Sequence, residues 1–283
     1  MMSGPRVAFI TGGTDGIGKA VARRLLREGW DVVVVGRSAS RCTATVAELD
    51  AESAGGRASA LVADLSLLAD TRRACDEFLA AHARLDVLLL NANAIAQTRT
   101  LTSEGQEANL ALGYLSRALT AQLLKPALEA APKPQILTVV GLNKRPHLDF
   151  GDLGMDRDFS GMKALGRWQW AMQIYAREWN VRESVPLNVY MPGIVKTKIL
   201  RSEPNVLLRT LIRAVYAVRA TTADQSAGHI VDVMRDVEEN GRRDTYYAVK
   251  APEPRRDLED GPGEQAALWD ATQRLLDPYL TSS

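Results

Sequence analysis

Two cysteines in 283 residues, Cys42 and Cys75, lie far apart in separate helical patterns. They offer no metal-ligand spacing and suit a reducing compartment. The chain has no apolar stretch of transmembrane length. Its first apolar run is too short for a secretory leader and is needed as a strand. It also lacks a charge excess: the formal net charge is +1, so nothing suggests a nucleic-acid or anionic-membrane partner. There is no Pro/Ser-rich linker and no internal repeat. These absences predict a cytoplasmic protein with no metal, nucleic-acid or membrane partner; its oligomeric state stays open.

What is present is 46% hydrophobic residues, enough for a sizeable core. Apolar strand-like runs alternate with amphipathic helical runs. The strands are Val7–Ile10, Val32–Val35, Ala58–Ala63, Asp86–Leu90, Gln135–Val140, Leu187–Met191 and Thr245–Val249. The helical patterns are about Gly16–Glu28, Ser38–Ser53, Leu67–Ala81, Ser103–Ala130, Asp158–Val181, Ala223–Glu239 and Glu264–Leu276. Alternating βα units predict an α/β fold: one Rossmann-type doubly wound parallel sheet of about seven strands, helices on both faces, in a single domain over 1–283. One segment, 198–222, stands outside the alternation after the sixth strand. Its helical run Val206–Val218, with Leu207 and Leu211 on the apolar stripe, is expected to be either an ordinary packing helix or a lid over a bulky substrate.

Between the first strand and helix runs Thr11-Gly12-Gly13-Thr14-Asp15-Gly16-Ile17-Gly18. Gly12 allows a sharp turn, Gly16 lets backbone N–H groups approach a pyrophosphate at the positive helix end, and Gly18 lets helix and sheet pack closely. This is a dinucleotide site. After the second strand comes Gly36-Arg37-Ser38, where NAD-specific folds carry an acidic residue for the ribose 2′-hydroxyl. A guanidinium suits a 2′-phosphate, so NADP(H) is expected, with NAD(H) the alternative.

The spacing Gly12-x3-Gly16-x-Gly18 resembles the short-chain dehydrogenase/reductase family, and later segments extend the resemblance. Asp64-Leu65 stands where the family's aspartate meets the adenine amino group. Asn91-Ala92-Asn93 stands where the family reads Asn-Ala-Gly, and Asn93 is expected to keep the turn by tolerating left-handed backbone. Pro192-Gly193-Ile194-Val195-Lys196-Thr197 matches the run that holds the nicotinamide carboxamide and pyrophosphate.

The resemblance implies hydride transfer assisted by Ser, Tyr and Lys, with an Asn. Aligned by strands, the serine position falls on Gly141, the tyrosine on Phe159, the lysine on Lys163 and the asparagine near Gly113. Lys163 is then expected to hold the ribose, with Gly141, Leu142, Asn143, Phe159, Leu207 and Leu211 lining the substrate. No acid remains in place. General acid–base catalysis supplies roughly 10² to 10⁴ in rate, so the proton must come from elsewhere. Asn143, Lys144, His147, Tyr114 or Tyr190 could reach in, or a hydroxyl beside the reacting ketone could serve, since groups fixed in one molecule reach high effective molarities. The pattern resembles atypical ketoreductases within the family and implies a hydrophobic, angucyclinone-like polyketide ketone as small-molecule partner. The alternatives are an inactive NADP(H)-binding regulator and a retinol- or steroid-like dehydrogenase.

Overall fold

The computed structural model describes residues 4–141, 146–193, 221–249, 251–253 and 263–281. Eight strands form one sheet: β1 (Val7–Thr11), β2 (Asp31–Gly36), β3 (Ala58–Val62), β4 (Val87–Leu90), β5 (Gln135–Val139), β6 (Leu187–Met191), β7 (Tyr246–Ala248) and β8 (Ala251–Glu253). Their order is β3-β2-β1-β4-β5-β6-β7-β8. All neighbours are parallel except β7 and β8, which are antiparallel. The sequence reading anticipated the seven parallel strands and missed β8, a three-residue strand containing Pro252. Strand order reverses between β1 and β4, and a crevice at the carboxyl ends of strands belongs at such a reversal.

The helices are α1 (Gly16–Arg27), α2 (Ala39–Asp50), α3 (Leu68–Ala81), α4 (Ala108–Leu110), a π-helical turn (Ala111–Leu115), α5 (Ser116–Glu129), α6 (Gly161–Arg182), α7 (Ala223–Asn240) and α8 (Glu264–Leu280). No helix among the described residues is long and apolar enough to cross a membrane. Both sheet faces are covered, and β1 shows the consequence. Val7 and Phe9 join the core beneath α3, α5, α6 and α8, while Ala8 and Ile10 join the core beneath α1 and α7. Alternate residues point to opposite faces, so a strand covered twice is apolar throughout.

Two helix starts differ from the sequence reading. The pattern read from Ser103 begins only at Ala108, because Gly105 has φ 79° and Glu107 caps the helix, its carboxylate accepting from the N–H groups of Asn109 and Leu110 at 2.9 and 2.8 Å. The pattern read from Asp158 begins at Gly161: Asp158 has φ 54°, and Ser160 is the N-cap, its hydroxyl accepting from the Lys163 N–H at 3.2 Å. Trp168, Trp170 and Trp179 are core residues. α8 seals α6: Trp269 stacks on Tyr175 with centroids 5.1 Å apart, and Thr272 Oγ1 lies 2.6 Å from the Tyr114 hydroxyl.

Candidate active site

Because β1 to β7 run parallel, their carboxyl ends share one edge, and this edge gathers most of the expected cofactor residues. Gly12 (φ 65°) is pressed on β4: a Cβ there would lie 2.8 Å from Ala92 Cα. A Cβ on Gly18 would come within 2.5 Å of Gly12 O. The turn is thus packed inward on glycine, whereas a Cβ on Gly16 would meet nothing within 4 Å. Asp15 caps α1, its carboxylate accepting from Gly16 N–H at 2.8 Å, and Ile17 is buried beneath it. Thr14 lies over Gly36 at the end of β2. Backbone N–H groups at a helix start, open on one side, fit a pyrophosphate.

Arg37 is exposed and has no ion pair among the described residues. Next to it Ser38 caps α2, accepting from Arg41 N–H at 3.4 Å, and its hydroxyl lies 3.1 Å from that of Ser40. Asp64 accepts from the Ser66 N–H and hydroxyl at 3.0 and 2.7 Å, and Leu65 is buried. Asn91 joins β4 to the glycine turn: its N–H donates to Thr11 Oγ1 at 2.9 Å and its amide to Gly12 O at 3.3 Å. Pro192 and Gly193 (φ 69°) end β6. Asn93 does not take the left-handed backbone expected of it; positive φ at non-glycine residues is found at Met155, Asp158, Asp244 and Val249 among the described residues. Its side chain instead lines a recess at the end of β4. Leu142, Asn143, Lys144, Ile194, Thr197, Leu207, Leu211 and the run Val206–Val218 lie outside the described residues. Of the proposed insertion, Thr221 and Thr222 are described: the Thr221 hydroxyl donates to Pro192 O at 3.5 Å, and Thr222 caps α7 in a capping box with Gln225.

The catalytic frame needs correction. Phe159 precedes the N-cap of α6, so it shares no helical face with Lys163, and it packs against the core. The Lys163 side chain is 56% exposed and donates to Asp158 Oδ2 at 2.5 Å. The residue that meets Gly141 is Gln169, whose Oε1 accepts the Gly141 N–H at 3.1 Å. At 100° per residue, Lys163 stands about 120° round the helix from Gln169, while Leu165 stands within about 40°. Leu165 and Gln169, four residues apart, therefore form the pair facing Gly141. They line the recess with Asn93, Asn109, Gly113, Arg117 and Trp168. The pair at four-residue spacing on the α6 face toward Gly141 is Leu165-x-x-x-Gln169.

Gly113 lies in the π-helical turn, where the family's asparagine was expected. Asn109 does not replace it, since its amide is used on the Ala96 backbone at 2.7 and 3.1 Å and on Glu107. Among the described residues lining the recess there is no hydroxyl, imidazole or ammonium group. Tyr114 is buried with its hydroxyl engaged by Thr272, and burial raises its pKa. Tyr190 lies in the opposite core layer, its phenol pushed up to about 12 by burial. His147 is exposed in the loop after β5.

The charged group the sequence reading missed is Arg117, 3% exposed on α5. It donates to Val139 O at 2.7 Å, Thr138 Oγ1 at 3.0 Å and Ala92 O at 2.8 Å, tying the ends of β4 and β5 together. Its sequence signal was an arginine four residues beyond Gly113, one helical turn away in an otherwise apolar run.

This edge, with its glycine turn and strand-end motifs, defines a dinucleotide-dependent oxidoreductase. Residues 6–147 match the family model described as short chain dehydrogenase, and the chain belongs to that family. It is an NAD(P)(H)-dependent oxidoreductase. A Streptomyces sp. (strain C5) protein, DnrU, provisionally named a daunorubicin C-13 ketoreductase, is 32% identical over 269 residues, covering 94% of this chain and 91% of that one. Mouse polyprenol dehydrogenase is 33% identical over 206 residues, 69% of this chain, and the match spans only 62% of that relative's length. The Thermococcus sibiricus alcohol dehydrogenase, solved with 5-hydroxy-NADP, shares the fold with a TM-score of 0.66 at 19% identity, covering 89% of this chain and all of that one (100%).

Proposed function

We propose that the protein is an NADPH-dependent ketoreductase of a bulky aromatic polyketide ketone, angucyclinone-like in shape, and that the substrate's own hydroxyl handles the proton. The observation that carries this reading is the occupancy of the recess. In this reading Gly113, Gly141, Leu165 and Gln169 take the places that the family gives to Asn, Ser, Tyr and Lys, and none of them can give up a proton near neutral pH. When bound, NADPH supplies the hydride that reduces the carbonyl carbon. The chain's own part is to hold and to exclude. The glycine turn offers N–H groups to the pyrophosphate, and Arg37 with Ser38 offers a charged, hydrogen-bonding edge suited to a 2′-phosphate. Leu165 presents apolar surface to the reacting ring system, and Gln169 fixes the chain at Gly141.

The near full-length similarity to DnrU supports a polyketide ketone over the long-chain alcohols suggested by the polyprenol dehydrogenase match, which is shorter on both chains. The segment 198–222 serves in this reading as a lid, and the protein works in the cytoplasm. The test is NADPH oxidation with hydroxylated polycyclic ketones, free and O-methylated at the hydroxyl beside the carbonyl, with product identification. Methylation should cut turnover by about 10² or more while binding persists. Equal rates for the two would refute substrate-assisted proton transfer, and no reduced product from any ketone would refute the reading itself.

A further inference from the structure

Among the described residues that line it, the recess has no hydroxyl, imidazole or ammonium group and one buried cation, Arg117. Arg117 is 3% exposed, yet among the described residues no carboxylate neutralises it: its three hydrogen bonds go to two backbone carbonyls and a threonine hydroxyl, and its Nε–H is buried with no partner there. Burial holds its pKa down at about 10, which leaves it charged at neutral pH. Glu107, the buried acid before α4, is occupied: its oxygens accept from Asn109 N–H and amide, Leu110 N–H and Trp168 Nε1. A buried, uncompensated guanidinium is costly, and three neutral acceptors do not repay it. A strand-end clamp could have been made by a neutral side chain. A charge retained at such cost is retained for an anion.

We infer that Arg117 is the positive charge that stabilises the anion formed on the substrate during reduction. This rests on the ketoreductase reading above and extends it. As hydride reaches the carbonyl carbon, the C=O π pair moves to oxygen. The neighbouring substrate hydroxyl transfers its proton to that oxygen, so the alcohol O–H forms as the phenol O–H breaks. The negative charge then rests on the phenolate, which water reprotonates. Arg117 reaches this place by geometry. It lines the recess, and it is bonded to Val139 O at the end of β5, two residues before Gly141, or roughly 7 Å of extended chain. At that range and an effective dielectric constant near 20, a unit charge favours ionisation of a phenol by about fifty-fold, roughly 1.7 pH units.

The probe is a peri-dihydroxyanthraquinone, which carries a hydroxyl beside a carbonyl and changes colour on ionisation. Its apparent pKa is titrated in complex with the protein and NADP⁺, with no turnover involved. Arg117→Met should raise the bound probe's pKa by about 1.7 units relative to the wild type, and Arg117→Lys should keep most of the depression. Thr138→Val, which removes a clamp bond and leaves the charge, should change the pKa little. Equal pKa values in wild type and Arg117→Met, with both complexes formed, overturn the assignment while leaving the ketoreductase reading intact. If Arg117→Met does not fold, loss of the depression in a folded Arg117→Lys, or in Thr138→Val, overturns it instead. A probe that does not bind even the wild type removes the substrate reading and this inference with it.

Discussion

Installing the family's lysine at the structurally correct place, Gln169→Lys, should damage the protein rather than restore it. Gln169 is 6% exposed, and its Oε1 takes the Gly141 N–H at 3.1 Å. A lysine cannot accept that bond, and leaving a buried N–H unpaired costs about 1–3 kcal/mol. The new ammonium would also share the recess with Arg117. Two like charges about 7 Å apart repel by roughly 2 kcal/mol at an effective dielectric constant near 20. The sum is about 3–5 kcal/mol at pH 7, a large part of an ordinary domain's stability. Burial and Arg117 both lower the introduced lysine's folded pKa below its unfolded value of about 10.4. Between these two values the unfolded state binds more protons, so stability rises with pH and the electrostatic part of the loss fades toward pH 10. Urea unfolding followed by tryptophan fluorescence at pH 7 and pH 9.5 measures both parts. A variant as stable as wild type at pH 7, or one whose deficit does not change with pH, would refute the placement of Gln169 beside Arg117.

Arg37→Ala should weaken NADPH binding by about tenfold or more while sparing NADH, as removal of a charge-assisted phosphate contact requires; calorimetry showing an equal loss for both cofactors would refute the assignment. Tyr114→Phe should cost about 1 kcal/mol through the Thr272 bond and leave turnover unchanged, so a collapse in turnover would make Tyr114 the hidden acid. Val249, β-branched at φ 59°, is strained, and Val249→Gly should stabilise by roughly 0.5–1 kcal/mol, read as a rise of a few degrees in Tm; a lower Tm would refute the strain.

The sequence disclosed the parallel sheet because β1, β2 and β4 are almost wholly apolar on both faces and alternate with helical patterns. It disclosed the cofactor edge because glycine turns and strand-end motifs are local and have a fixed spacing. The catalytic frame was not legible in the same way. Phe159-Ser160-Gly161-Met162-Lys163 carries a lysine at the expected spacing, but Ser160 ends the loop and starts the helix there, which turns Lys163 to solvent. Only the hydrogen bond from Gly141 to Gln169, between residues 28 apart in sequence, fixes which helical face looks into the recess. Ser160, an N-cap residue type directly ahead of the helical pattern, was a signal that could have moved the frame. Arg117 was hidden for a related reason: one arginine on an apolar helix reads as an exposed position until tertiary packing buries it.

The clasp formed by α8 has a consequence for biosynthesis. Trp269 and Thr272 cover Tyr175, Trp179 and Tyr114, yet they are translated about ninety or more residues after these partners. On the ribosome, α6 therefore waits with an aromatic flank uncovered while β6, α7 and β7 are made. At synthesis rates of about 5–20 residues per second, that wait lasts several seconds, long enough for an apolar surface to recruit a chaperone or a wrong neighbour. Chains interrupted before residue 264 would carry a nearly complete sheet and an unfinished back, and should be found in aggregates rather than as a smaller active enzyme.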